Sequence, residues 1–274
     1  MNKLIRPLVT LSVLALLAGM LYFFLSEKEV GTISSLSLTA QAEISANSAM
    51  TWLINYEESY KDPGVVWVID KINDDYCDNK QLRSFVLNRF KEFENHPVEF
   101  AYKKLIDDNY SYEIDYEILT GRESFFDDIM MPAVYCADHE IKPETLGKIF
   151  DVGNISEYDL SHRFLAMLIM QKNNCTEDLE YHFDRYLLEA KNKIIDEQNK
   201  SAVYNDIYSE RVAFLLFGGF DTDVKEEWID EIIKNQSSAG AWSDPKHFNK
   251  VDNPHTTALS LWALAGYTKK CPLY

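Results

Sequence analysis

His255 is the residue of this chain whose position is best suited to chemistry. It follows Pro254 at the start of an apolar stretch, and proline commonly occupies the first turn of a helix. The unpaired N–H groups of such a helix start attract anions and favour a neutral imidazole. A histidine held there can exchange a proton near neutral pH. The alternative is structural: with Thr256 it caps the helix and packs beneath the turn at Trp242.

A second histidine and two carboxylates form the next candidate group. His162 lies near the start of an otherwise apolar helix, so its ring needs a polar partner if it is buried. Asp206 and Glu210 are four residues apart and therefore share a helix face. The three side chains predict a cluster for general acid–base catalysis or for holding a metal ion. Alternatively, Asp206 caps its helix, Glu210 pairs with Arg211 or a lysine, and His162 is a core residue. Cofactor and metal are left open.

Aromatic residues accompany these polar ones and could line a pocket. The candidates are Trp242, Trp262, Tyr204 and Tyr208, and such residues also fill ordinary cores. We take Trp242, Tyr208 and Thr256 as the predicted substrate-binding residues.

The elements that would position these residues are helices. Gly and Pro are scarce, apolar residues recur at intervals of three and four, and alternation with period two is rare. Short connections between successive helices favour helical hairpins. The sequence therefore predicts an all-α domain over residues 39–274. Helices are predicted at 81–93, 98–106, 132–136, 143–150, 158–171, 177–196, 206–217, 224–235 and 255–267.

An uncharged apolar stretch, Leu8 to Leu25, predicts how the chain is located. As a helix it is roughly 27 Å long, close to the thickness of a bilayer core. Lys3 and Arg6 precede it, which keeps the N-terminus cytoplasmic and sends the rest across the membrane. We expect an anchor at 1–25 and a linker at 26–38, with a cleaved signal peptide as the alternative. Periplasm, lumen and cell exterior are not distinguished.

Charge and cysteine content narrow the class of protein further. The net charge of −17 argues against nucleic acid as a partner, because phosphates require a basic surface. The four cysteines, all on the exported side, predict two disulfides in an oxidising compartment. Three connectivities are open.

One motif resembles a known repeat. Gln236-x-x-x-Gly240-x-Trp242, followed by a helix opening with His255-Thr256, resembles the repeat of α/α-toroid proteins such as terpenoid cyclases and protein prenyltransferase β-subunits. The resemblance implies helical hairpins in a partial α/α toroid, whose inner helices begin at a central cavity. In prenyltransferases the His-Thr pair supplies a zinc ligand beside an Asp and a Cys. This chain has no Asp-x-Cys, and it also lacks the Asp-x-Asp-Asp acid motif of the cyclases.

Over residues 155–270 the chain is also similar to a family of secreted animal proteins of unknown function. This similarity implies an extracytoplasmic helical domain and no particular activity. The residues that carry it are Leu160-Ser161-His162, Asp206 to Glu210, Gly218-Gly219-Phe220, Trp228, Gln236, Gly240 and His255-x-Thr257.

Together these observations predict an exported, membrane-tethered protein with a polar and aromatic cavity. The cavity would bind or process a glycan, a cell-wall fragment or a lipid-linked small molecule. The alternative is a non-enzymatic interaction module of an envelope or secreted complex, with a protein partner. Whether the protein is an enzyme is left open, because fold analogy does not determine chemistry.

Overall fold

The structure is a computed structural model that describes residues 36–91, 99–107, 110, 125–176, 180–244 and 252–273. The predicted membrane helix at Leu8–Leu25 and nearly all of the linker lie outside these residues. None of the described helices combines the length and the apolar character that crossing a membrane requires.

The described part of the chain is all-α, as predicted. It contains no strand, and its β-pairing consists of one isolated bridge between Ser243 and Asp252. Short 3-10 helices occupy Glu57–Lys61 and Asp221–Asp223, and a π-helical turn occupies Asn73–Cys77. The α-helices are α1 Leu38–Asn55, α2 Pro63–Ile72, α3 Lys80–Phe90, α4 Glu99–Ile106, α5 Phe125–Val134, α6 Pro143–Phe150, α7 Glu157–Lys172, α8 Glu180–Lys200, α9 Asp206–Phe217, α10 Glu226–Lys234 and α11 Pro254–Thr268.

Four of these helices begin at an Asx residue that caps the first turn, and one of the four is Asn79 at the start of α3. The Asp62 carboxylate accepts a hydrogen bond from the Gly64 amide at the start of α2. Asn205 does the same for α9, and Asn253 accepts from the first amides of α11. Such caps satisfy amide groups that have no partner within the helix. Because Asn205 caps α9, the carboxylate of Asp206 is not needed for capping.

The chain divides into two compact units, Met1–Gln41 and Ala42–Tyr274. Within the second unit, α2, α4, α5, α7, α9 and α11 pack against one another in that order, and α11 also packs against α2. The C-terminal ends of α2, α4, α5, α7 and α9 meet at one cavity of about 370 Å³. The N-terminal ends of α7, α9 and α11 meet at another. All six helices of this succession therefore run in the same direction.

Helices α9 and α11 lie at the centre of this packing. Every residue of α9 after Asp206 is buried, and so is the segment of α11 from Thr256 to Gly266. Trp262 of α11 is buried against both α2 and α9, with its ring centroid 5.3 Å from that of Trp67 and 5.1 Å from that of Phe217. A helix that is buried on all sides reaches solvent only at its ends. The first turns of α9 and α11 are thus where these helices can meet a ligand.

Two disulfides join Cys77 to Cys271 and Cys136 to Cys175, which selects one of the three connectivities left open by the sequence. No cysteine is free. The first disulfide links the turn after α2 to the C-terminal segment. Both bonds are typical of proteins that mature in an oxidising compartment.

Candidate functional site

The first turns of three helices enclose one pocket of about 480 Å³. Tyr158 comes from α7, Asp206 and Ile207 from α9, and His255 and Thr256 from α11. The remaining lining residues are Asn205, Asn253 and Asp244. The start of α2 reaches the same place, because Asp62 contacts His255. Four helix N-termini therefore converge, and their dipoles favour the carboxylates gathered there.

His255 lies between two carboxylates. Its Nδ1 is 3.2 Å from Oδ2 of Asp62, and its Nε2 is 3.9 Å from Oδ2 of Asp206. Burial by itself lowers the pKa of His255, but the hydrogen bond to Asp62 and the negative charges around the ring outweigh it and raise that pKa to about 9. Burial raises the pKa of Asp62, yet the same contact holds it below its ordinary value. The imidazole side chain remains 37% exposed, so a ligand can reach it.

Asp206 is held by the neighbouring helix. Its Oδ1 accepts a hydrogen bond of 2.8 Å from the hydroxyl of Thr256, whose side chain is fully buried. Its other oxygen faces the imidazole of His255. The carboxylate thus has a restricted orientation with one oxygen directed to the ring.

Glu210 forms the buried floor of this group, one helical turn below Asp206. It is 1% exposed, accepts a hydrogen bond from the hydroxyl of Ser161, and lies 3.6 Å from Nδ1 of His162. Burial raises its pKa, because removing a carboxylate from water disfavours its charged form. It does not pair with Arg211, which instead bonds Glu197 at 2.5 Å.

His162 approaches Glu210 but does not line the pocket. Its Nδ1 lies 2.9 Å from the backbone carbonyl of Tyr158, one turn earlier in α7, and its ring packs on that tyrosine with centroids 4.3 Å apart. The predicted cluster of His255, His162, Asp206 and Glu210 is therefore assembled from three helices, with His255 and Asp206 at the pocket and the other two behind them.

Two of the three predicted substrate-binding residues lie elsewhere. Trp242 is fully buried, and its indole N–H donates to the carbonyl of Ile232 at 2.7 Å. Tyr208 is buried as well, with 4% of its surface exposed. Neither lines the pocket, whereas Thr256 does. Large aromatic side chains occur both in protein cores and in the walls of cavities. The sequence alone therefore did not show which of these environments Trp242 and Tyr208 occupy.

Sequence reasoning missed Asp62, Ser161 and Tyr158 as site residues. A signal for Asp62 was available: Asp62-Pro63 and Asn253-Pro254 are both Asx–proline pairs that begin a helix. For Ser161 and Tyr158 no local pattern distinguishes them from other residues of α7.

Asp206, Glu210 and His255 also satisfy the requirements of a metal-binding group. Each offers one ligand atom, and these atoms lie within 4.8 Å of one another. It is the one such group among the residues that the structure describes. All four cysteines are in disulfides, so the set contains no thiolate.

The fold and site define a disulfide-bonded, all-α protein with a His–carboxylate cluster where helices begin. Comparison with family models, with curated proteins and with solved structures finds no significant match. The two resemblances given above therefore stay predictions that rest on their motifs.

Proposed function

We propose that this protein binds a small polar molecule in the pocket beside His255 and processes it by proton transfer. The proposal includes export of residues 39–274 and a membrane tether at 1–25. Its main support is one observation: the imidazole is oriented by Asp62 on one side and presents its other nitrogen toward Asp206 and the pocket.

The proposed role of His255 follows from the contacts of its two nitrogens. A proton on Nδ1 is held by the carboxylate of Asp62, so Nε2 is the atom that exchanges a proton with the ligand. In the charged form Nε2–H donates to a ligand oxygen, and in the neutral form Nε2 accepts a proton from a ligand or a water. Asp206 then stabilises the charged form of the ring.

A glycan, a cell-wall fragment or a lipid-linked molecule is the proposed class of ligand. The choice of a sugar-containing ligand is supported by a groove of about 510 Å³ elsewhere in the second unit. Trp52 and Tyr56 line it with stacked rings 4.5 Å apart, and amide and hydroxyl side chains surround them. Aromatic faces with a few polar groups are the combination that binds the C–H faces and hydroxyls of a sugar ring.

We also propose that Ala42–Tyr274 is organised as a partial α/α toroid. The closed succession of contacts from α2 through α11 and back to α2, with these helices running in one direction, supports it. In the families that the motif resembles, the inner helices begin at the cavity, as α7, α9 and α11 begin at this pocket.

The experiment is a thermal-shift screen of the full chain against β-linked oligosaccharides, cell-wall glycopeptides and polyprenyl phosphates, all in EDTA. A specific ligand at a hundredfold excess over its Kd stabilises the protein by about 2.7 kcal/mol. We expect the gain to be lost in His255→Gln and kept in Asp230→Asn, whose exposed carboxylate pairs with Lys234 on α10.

Two outcomes would contradict the proposal. Ligands that stabilise wild type and His255→Gln equally bind somewhere other than this pocket. A complete absence of stabilising ligands, together with capture of a protein partner by the same chain, would favour the interaction module, in which these polar residues are structural.

A further inference from the structure

We propose that Asp206, Glu210 and His255 bind a divalent first-row cation such as Zn²⁺ or Mn²⁺. The site lies in the pocket of the proposed function and rests on the same cluster. A bound cation occupies Nε2 of His255, so proton transfer by that nitrogen belongs to the metal-free protein. Binding of the cation alone is measured without any organic ligand, so the two proposals can fail separately.

Each of the three side chains is oriented by a hydrogen bond to a neighbouring residue. Asp62 accepts from Nδ1 of His255, which leaves Nε2 as the ligating nitrogen. Thr256 donates to Asp206, and Ser161 donates to Glu210. Metal ligands in proteins are commonly oriented by a second layer of this kind, in which a carboxylate holds the far nitrogen of the histidine.

The spacing of the ligand atoms is close to that of a metal site. They lie within 4.8 Å of one another, and Nε2 of His255 is 3.9 Å from Oδ2 of Asp206. Ligands of a tetrahedral zinc ion are roughly 3.4 Å apart, given metal–ligand bonds of about 2.1 Å. Small side-chain rotations therefore close the site. Glu210 is buried beneath it, whereas Asp206 and His255 border the pocket, so a coordination position faces solvent.

The charge and the type of the ligands also favour a divalent first-row cation. Asp62, Asp206 and Glu210 place three carboxylates around one imidazole, so a cation there offsets an excess of negative charge. One nitrogen with two oxygens suits Zn²⁺ or Mn²⁺, whereas Ca²⁺ and Mg²⁺ prefer all-oxygen sites.

The test is calorimetric titration of Zn²⁺ into the untagged full chain after removal of bound metal. We expect one ion per chain. Affinity should fall by at least about tenfold in Glu210→Gln and in His255→Gln, and about 10–100-fold in Asp62→Asn. Asp230→Asn is the matched control and should bind as wild type does, because its carboxylate is exposed on α10. With stoichiometric Co²⁺ the wild-type protein should show visible absorption bands. These bands should be weaker in Glu210→Gln, His255→Gln and Asp62→Asn and unchanged in Asp230→Asn.

Absence of stoichiometric binding would overturn the proposal, and so would equal affinity in wild type and the folded Glu210→Gln and His255→Gln variants. If Glu210→Gln does not fold, the proposal is tested on the wild-type protein by long-range ¹H–¹⁵N correlation spectra of the histidine rings. Zn²⁺ should shift the Nε2 resonance of His255, assigned with His255→Gln, while its Nδ1 keeps the proton. A shift confined to another histidine contradicts the site.

Discussion

Asp62 and His255 are 193 positions apart in the chain, yet Oδ2 of the carboxylate lies 3.2 Å from Nδ1 of the imidazole. The same carboxylate caps α2 through the amide of Gly64. A local capping residue thus also joins α2 to α11. Because the cap restricts the carboxylate, the ring of His255 is held with Nε2 toward Asp206.

Stability should depend on pH through His255. In the metal-free protein its folded pKa is about 9, compared with about 6.5 when unfolded. The folded state therefore binds the proton more tightly. This contribution is fully present below pH 6.5 and is lost as the pH rises through 9.

The measurement is Tm in EDTA from pH 6.5 to 9.5. We expect Tm to fall over this range in wild type and the fall to be smaller in His255→Gln. His182→Gln, which alters an exposed histidine of α8, is the control and should follow wild type. Parallel curves for wild type and His255→Gln would show that the Asp62 contact does not raise this pKa.

Trp242→Phe should lower stability and leave ligand binding at the pocket unchanged. Trp242 is fully buried, and removing its indole N–H leaves the carbonyl of Ile232 without its 2.7 Å hydrogen bond. That carbonyl keeps a 3.2 Å hydrogen bond from the Asn235 amide, so we expect the loss of one hydrogen bond, about 0.5–1.5 kcal/mol, together with the cost of the cavity that the smaller ring leaves. Urea denaturation gives the free energy of unfolding. Trp52→Phe, which alters a partly exposed ring, should cost less. Weaker ligand binding by a folded Trp242→Phe would return this residue to the site, as the sequence predicted.

Gly240→Ala should destabilise the protein more than Gly219→Ala does. Both glycines have positive φ, 93° and 77°, which disfavours any residue with a Cβ. At Gly240 the new methyl group would also lie 2.8 Å from the backbone oxygen of Ser48, whereas at Gly219 nothing lies within 4 Å. Chemical denaturation of both variants measures the difference. Equal losses of stability would mean that the turn at Gly240 can move away from α1 at little cost in free energy.

Removing Cys77–Cys271 should cost more than removing Cys136–Cys175. The sequence separations are 194 and 39, and the chain-entropy relation gives about 5 and about 4 kcal/mol for loops of these lengths. Double Cys→Ser variants of each pair, unfolded in guanidinium, test the order. A larger loss for the shorter loop would show that local packing around α5 and α7 outweighs the effect on the unfolded chain.

The sequence by itself determined the helical class and the local placement of several residues of the candidate site. Apolar spacing predicted the all-α domain, Pro254 placed His255 in a first turn, and the four-residue interval put Asp206 and Glu210 on one helix face. These features follow from rules that act within one or two helical turns, so they can be read without knowing which helices are neighbours.

The tertiary structure decided what those residues meet. It paired the cysteines, buried Trp242 and Tyr208, and brought Asp62 to His255. It also paired Glu210 with the hydroxyl of Ser161 rather than with Arg211. Such contacts join helices far apart in the chain, and they depend on the order and direction in which apolar faces pack. Local spacing carries no information about that order, because an apolar stripe can be covered by any helix of matching shape.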